Sequence, residues 1–238
     1  MNPAERRRSM MWPLRYSFAA AVALVGSVGV DPALAGCRDS PRPGMDWSGC
    51  RQQAKVLRGY DLSGGKFAGA DLSRSNFRSA KMVGVDLTKA NLTRSNMNGA
   101  DLSKASMTKA FGMRSYFNKA SFKGADLSKV EFSRAQLKAA DLSATNLVGA
   151  ELSRADLTGA NLDGADARNI NLSRAKLAAA SLDKTNLEDA YLYRTDLRGV
   201  DLTRTVGLRQ AQLRGACGDQ QTRLPDGLTI PAAWPCKD

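Results

Sequence analysis

The sequence predicts an all-β solenoid, a chain wound into stacked coils, and three observations carry that prediction. A five-residue word recurs without slippage from about residue 60 to residue 204; its third letter runs Leu62, Phe67, Leu72, Phe77, Met82, Leu87 and on to Leu202. Of these 29 centres, 27 are Leu, Phe or Met. The first letter is small, mostly Ala, and the second is Asp or Asn in 17 of the 29 words, so the pattern has a polar half as regular as its apolar half. A period of five fits neither the 3.6 of a helix nor the alternation of a simple strand. A helix would spread these leucines around all its faces and bury no single stripe. A chain that turns a corner once per word points the first and third letters inward, stacks each coil on the next, and so pairs its backbone and buries one apolar column.

The stretch "AELSRADLTGANLDGADARN" (150–169) holds four such words. They resemble the pentapeptide-repeat family, whose motif is A(D/N)LXX, and the resemblance covers about 145 residues. It implies a right-handed quadrilateral β-helix with four words, twenty residues, per coil. About seven coils follow, and at the strand spacing of ~4.8 Å the column is about 35 Å long. Two centres depart from the motif. Gly112 in "AFGMR" leaves a hole, for which a local bulge filled by Phe111 or Met113 is the expected answer, and Ala167 in "ADARN" leaves a smaller void.

The chain divides into a signal peptide (1–35), an N-terminal capping flank (36–59), the repeat (60–204) and a C-terminal cap (205–238). Arg6, Arg7, Arg8 and Arg15 form a basic region before the apolar run "YSFAAAVALVGSVGV" (16–30), and "ALA" (33–35) offers a cleavage site. The run is short for a membrane span, which needs roughly 20 residues. Export to the periplasm or beyond is expected. "LAGC" (34–37) also resembles a lipobox, so a lipid anchor at Cys37 is the alternative. Both ends of a solenoid need covering. Trp47 is available for the first coil. A short helix from Leu208 to about Leu213, followed by Leu224, Leu228 and Trp234, is available for the last. The four cysteines lie in these flanks, and proximity in sequence pairs Cys37 with Cys50 and Cys217 with Cys236 as candidate disulfides.

Histidine is absent, which removes the commonest general base, the Ser-His and Cys-His arrangements and the commonest metal ligand. The serines and aspartates recur with the repeat and mark structure. No catalytic, metal or cofactor site is expected; the chain reads as a non-catalytic structural or protein-interaction module. Its 35 Lys+Arg against 23 Asp+Glu also point to an anionic partner. Some members of the family mimic DNA with an acidic surface, a role this basic chain does not fit. Expected export and the scatter of Tyr116, Tyr191 and Tyr193 argue against single-stranded nucleic acid. A homodimer through the C-terminal flank stays open.

One row of the repeat stands out. The fifth letter of every fourth word is Arg: Arg74, Arg94, Arg114, Arg134, Arg154, Arg174 and Arg194. With twenty residues per coil these stack in one line about 5 Å apart, where neighbouring charges repel by about 0.8 kcal/mol even at the dielectric of water. Two arrangements offset this. Asp71, Glu131, Glu151, Asp156 and Asp196 lie in the same or neighbouring words and can form an internal ion-pair network; or an external anionic polymer or envelope surface lies along the row, gripped by the guanidinium forks. What separates them is whether the arginines are tied to carboxylates. Lys89, Lys109 and Lys129 form a shorter second row.

Overall fold

The computed structural model describes residues 36–234. The expected signal peptide, its cleavage site and Cys236 lie outside the described residues. From Asp46 onward, the second letter of a word pairs in parallel with the second letter twenty residues later: Asp46 with Lys66, Arg51 with Asp71, Val56 with Asn76, Asp61 with Lys81. Four such lines run along the column, one per side, and the first continues in steps of twenty to Val206. Pairing starts before the repeat signal does. Residues 46–59, expected as a flank, already follow the coil path, with Trp47, Gln52 and Leu57 buried at the centre positions. Backbone pairing does not depend on side-chain type, so the coil outruns the motif.

Each letter of the word follows from where its N–H must go. In the word Ala70–Arg74, the Ala70 N–H closes a turn on the Phe67 carbonyl at 3.0 Å. The Asp71 N–H reaches back to Cys50 of the previous coil, while the Leu72 and Arg74 N–H groups reach forward to Asn91 and Thr93 of the next, at 2.8, 2.8 and 3.0 Å. Only the fourth letter, Ser73, lacks a backbone acceptor, and its N–H donates to the Asp71 carboxylate at 3.1 Å. The same bond joins Thr88 to Asp86, Thr93 to Asn91, Ser143 to Asp141 and Thr158 to Asp156. Asp and Asn dominate the second letter because a short side chain with an acceptor oxygen meets an N–H two residues on. The fifth letter has a positive φ from Ala54 to Gly199, 59° at Arg74 and 66° at Gly69, as the second corner residue of a type II turn requires.

These carboxylates make the fold acid-sensitive. The Ser48 N–H holds Asp46 below the ordinary aspartate value of 3.8, the Thr203 side chain does the same for Asp201, and the guanidinium groups of Arg168 and Arg198 lower Asp166 and Asp196. A group whose pKa is depressed on folding contributes stability above its unfolded value and loses it as pH falls through the folded value. Melting temperature is therefore expected to hold from neutral pH to about pH 5 and to fall steeply below about pH 4. Thermal denaturation across that range checks this, and a flat profile down to about pH 2 would contradict it.

The third letters stack into one core. Trp47 is a member of it rather than a lid over it, packing edge-on against Phe67 with ring centroids 6.1 Å apart. The buried first-letter hydroxyls of Ser75, Ser115 and Thr195 are satisfied by the coil before, Ser75 donating to the Gln52 carbonyl, Ser115 to Leu92 and Thr195 to Leu172, whereas the Ser95 hydroxyl has no partner among the described residues. At Gly112 no bulge forms and neither neighbour turns inward. Its N–H keeps the ladder bond to Glu131 at 2.9 Å, and Phe111 and Met113 stand 41% and 45% exposed. The space is taken by Phe132 of the next coil, whose ring atoms would lie 2.6 Å from a Cβ at 112. Phe132 in turn stacks on Phe117, with centroids 4.9 Å apart. At Ala167 the first letter that follows is Ile170 instead of a small residue, and both are fully buried.

The two ends are closed differently. Cys37 is bonded to Cys50, with Cα atoms 5.5 Å apart, and the Gln52 amide donates to the Cys37 carbonyl. At the other end the register lengthens, Asp196 pairing with Cys217 and Asp201 with Arg223. Helix α1 (Gln210–Leu213) lies in the segment where the first extra residue enters. Leu213 is buried, and the Gln212 amide donates to the Ala190 carbonyl, to which the ladder supplies no backbone donor, and to the Leu187 carbonyl, which also accepts from the Ala190 N–H. Cys217 is disulfide-bonded. Trp234 lies over this end, its indole N–H donating to the Ala216 carbonyl at 2.7 Å. A Cβ at Gly218 would lie 2.1 Å from that ring. Gly218→Ala is expected to lift Trp234 off the cap at a cost of about 1–3 kcal/mol, read as a lower denaturation midpoint and brighter quenching of tryptophan emission by iodide. No helix among the described residues is long and apolar enough to cross a membrane.

Candidate functional site

The corner turns set the arginine row. Each row arginine is the positive-φ residue of its turn, with φ between 54° at Arg194 and 60° at Arg134. Its N–H is locked to the next coil: Arg94 to Met113 at 3.1 Å, Arg134 to Ser153 at 2.9 Å, Arg174 to Tyr193 at 2.8 Å. Successive arginines therefore leave the same corner, one per coil, at the ~4.8 Å spacing of paired strands. All seven are exposed.

This backbone conformation is costly for a residue with a side chain, about 1–2 kcal/mol. The other three corners relieve it with glycine, as at Gly64, Gly84, Gly124 and Gly164, at Gly49, Gly69 and Gly149, or at Gly59, Gly99, Gly159 and Gly199. The arginine corner carries no glycine from residue 54 to residue 194.

The carboxylates expected to neutralise the row do not. Among the described residues the ion pairs are Asp39–Arg42, Asp61–Lys81, Lys138–Asp156, Asp166–Arg168, Asp196–Arg198, Asp183–Arg204, Asp189–Arg209 and Asp201–Arg223, and none includes a row arginine. Asp71 accepts from Gln53, the Ser73 N–H and Asn91. Glu151 accepts from Ser133, the Ser153 N–H and Asn171. These second-letter acids are held by the N–H of their own turn and by side chains of adjacent coils. The side chain of Arg194 alone in the row has a neighbour of note, the Tyr193 ring, 5.7 Å from its guanidinium carbon. Lys89, Lys109 and Lys129 occupy a second corner in the same positive-φ conformation and are likewise exposed.

The aromatic residues that look scattered along the chain are gathered here. Phe111 and Tyr191 belong to the same line of second letters, three residues before Arg114 and Arg194 in the same words, and Met113 and Tyr193 are the fourth letters of those words. Tyr116 follows Arg114 around the corner. All five are between 41% and 56% exposed. Tyr191 and Tyr193 stack, with centroids 6.2 Å apart and planes 19° apart. Two shallow grooves meet these groups, at Met113 and at Tyr193. One, of ≈ 470 Å³, is lined by Arg74, Arg94, Arg114 and Met113 among others; the second, of ≈ 710 Å³, by Arg174, Arg194, Arg214 and Tyr193 among others. Placing Phe and Tyr at the second letter forfeits the turn bond: the Met113 and Tyr193 N–H groups have no acceptor among the described residues, a loss of about 1 kcal/mol each where the site is partly shielded. The signal was legible as the three aromatic second letters, 111, 116 and 191, among those that break the Asp/Asn rule; reading them as one face needed the twenty-residue period applied to departures as well as to matches.

Comparison with known proteins agrees with this architecture. The model of the pentapeptide repeats matches in eight copies, over residues 57–94, 95–134, 135–174 and 170–206. No curated protein sequence matches the chain. Among solved structures, HetL of the cyanobacterium Nostoc, a pentapeptide repeat protein involved in heterocyst differentiation regulation, is 27% identical over 79% of this chain and 92% of its own, with a TM-score of 0.43. A trypsin-treated variant of QnrB1, a plasmid-mediated fluoroquinolone resistance protein, is 20% identical over 76% of this chain and 86% of its own, with a TM-score of 0.48. Rfr23 of the cyanobacterium Cyanothece is 22% identical over 75% and 90%, with a TM-score of 0.25. With the family model spanning most of the column and the five-residue accounting of its backbone in place, the chain belongs to the pentapeptide-repeat family.

Proposed function

We propose that this chain is a non-catalytic, exported interaction module, a right-handed column of about seven repeat coils with a short helical cap, that docks an anionic partner along its arginine corner. The observation that carries the reading is that the row arginines are exposed, aligned and free of carboxylate partners among the described residues. Seven like charges held in a line, in a backbone conformation that favours glycine, cost stability, and among the described residues no ion pair offsets that cost. Copying of whole coils does not account for them: the next corner, with Ser79, Gly99, Lys119, Ala139, Gly159, Ala179 and Gly199, has diverged through the same copies. Export is supported by the Cys37–Cys50 disulfide, which suits an oxidising compartment. A sulfur held in that bond is not available for lipid attachment, which weighs against the anchored alternative. Binding to long-chain inorganic polyphosphate across a salt series tests the reading. Wild type is expected to bind with a steep salt slope, and a variant with Arg94, Arg134 and Arg174 changed to Gln to lose roughly 2–3 units of that slope. Equal, salt-insensitive binding by both proteins would overturn it.

A further inference from the structure

We propose that the partner of this face is a linear acidic polysaccharide, a carboxylated or sulfated sugar chain laid along the column axis; the proposal rests on the arginine corner being a docking surface and names what docks there. Charge alone would accept any polyanion. The apolar groups narrow the choice. Of the nine large hydrophobic side chains that stand exposed among the described residues, five, Phe111, Met113, Tyr116, Tyr191 and Tyr193, flank the row arginines; the others are Val56, Tyr60, Val206 and Ile230. They form two clusters, around Arg114 and Arg194, separated by four coils, and Met113 and Tyr193 line the grooves found there. A pyranose presents a face of C–H groups that packs on such rings, while its carboxylate or sulfate reaches a guanidinium fork.

Between the clusters the fourth letters are Ser133, Ser153 and Ser173, beside Arg134, Arg154 and Arg174. Ser133 and Ser153 already hydrogen-bond to each other at 3.0 Å, a polar track suited to sugar hydroxyls. Single-stranded nucleic acid needs a stacking platform for successive bases, and this middle stretch offers none. The coil spacing of ~4.8 Å matches the rise of a monosaccharide in an extended chain. Acidic side chains do not close the face. Asp71, Glu151, Asp156 and Asp196 are engaged in bonds to their own or adjacent coils, and Glu131 is the one exposed carboxylate beside the row without a partner among the described residues.

The second-letter aromatics also carry their own evidence of use. Phe111 and Tyr191 sit where Asp or Asn would supply the missing turn bond to Met113 and Tyr193. Changing them to Asn therefore separates a packing role from a binding role. The experiment measures affinity of the purified protein for alginate, polyphosphate and oligo-dT, with F111N/Y191N and R94Q/R134Q/R174Q beside wild type and melting curves for all three. The expected result is that F111N/Y191N melts no lower than wild type, binds alginate roughly tenfold more weakly, and binds polyphosphate unchanged, while the arginine variant loses both. E131Q is expected to tighten alginate binding. Unchanged alginate affinity in F111N/Y191N, or oligo-dT displacing alginate at equal charge concentration, would overturn the sugar-chain proposal and leave the anion-docking reading standing. Failure of wild type to bind either alginate or polyphosphate would sink both.

Discussion

Replacing Phe132 by alanine is expected to be the most damaging single core truncation in the column, costing about 5 kcal/mol, the upper end for a buried phenylalanine. Phe132 fills two positions: its own centre and the space above Gly112, where a Cβ would meet its ring at 2.6 Å. It also carries the stacked contact with Phe117. Truncation therefore opens a void spanning two coils, with rigid ladders on every side that prevent collapse. Leu152→Ala, one coil on, removes a fully packed leucine with no empty neighbour and is expected to cost about 3 kcal/mol. Gly112→Leu alone is expected to destabilise through the clash with Phe132. In the F132A background the same leucine enters the void and recovers about 1–2 kcal/mol, so the two sites couple with opposite signs. Urea denaturation of the two single variants and the double variant reads the coupling; additive costs would show that the ring does not occupy the space above Gly112.

Changing Arg94, Arg134 and Arg174 to glycine is expected to make the protein more stable and less able to bind. Each arginine pays about 1–2 kcal/mol for its left-handed backbone, and glycine gives back about 0.5–1 kcal/mol of that through the greater freedom of its unfolded chain. The net gain is roughly 0.5–1 kcal/mol per site, before the relief of like-charge repulsion along the row. Three sites together are expected to raise the melting temperature by several degrees, about 2–4 °C per kcal/mol for a chain of this size. The glutamine variant keeps the strained backbone and gains only the electrostatic part. Calorimetry of the two variants beside wild type separates these contributions. If the glycine variant melted lower than wild type, the arginine side chains would be holding the column together, and the reading of the row as a surface maintained for a partner would fail.

Much of the architecture is written in local pattern. A word of five with an inward Leu and an inward small residue admits no helix and no flat strand, because only a corner in every word buries both letters. The preference for Asp or Asn follows from one N–H per word with no backbone acceptor, so the turn chemistry was legible as well. So was the arginine row, since a period of twenty applied to the sequence places residues 74 to 194 on one corner.

What the sequence could not decide was where side chains reach across coils. It offered Phe111 and Met113 for the hole at Gly112, being adjacent in the chain, whereas the fold brings in Phe132, twenty residues away, because the nearest large group in a stacked column lies in the next coil. It offered Asp71, Glu131, Glu151, Asp156 and Asp196 as partners for the arginines. The turn N–H groups, amides and adjacent cations claim four of them first, and the row arginines stand exposed. It also left the aromatics as isolated departures from a motif, since distance along the chain hides that residues eighty apart share one line of the ladder. The five-residue period determined the coil and its charged edge. Only the stacking of coils decided which charges stay unpaired and which rings stand beside them, because those contacts run along the column axis, at right angles to the chain.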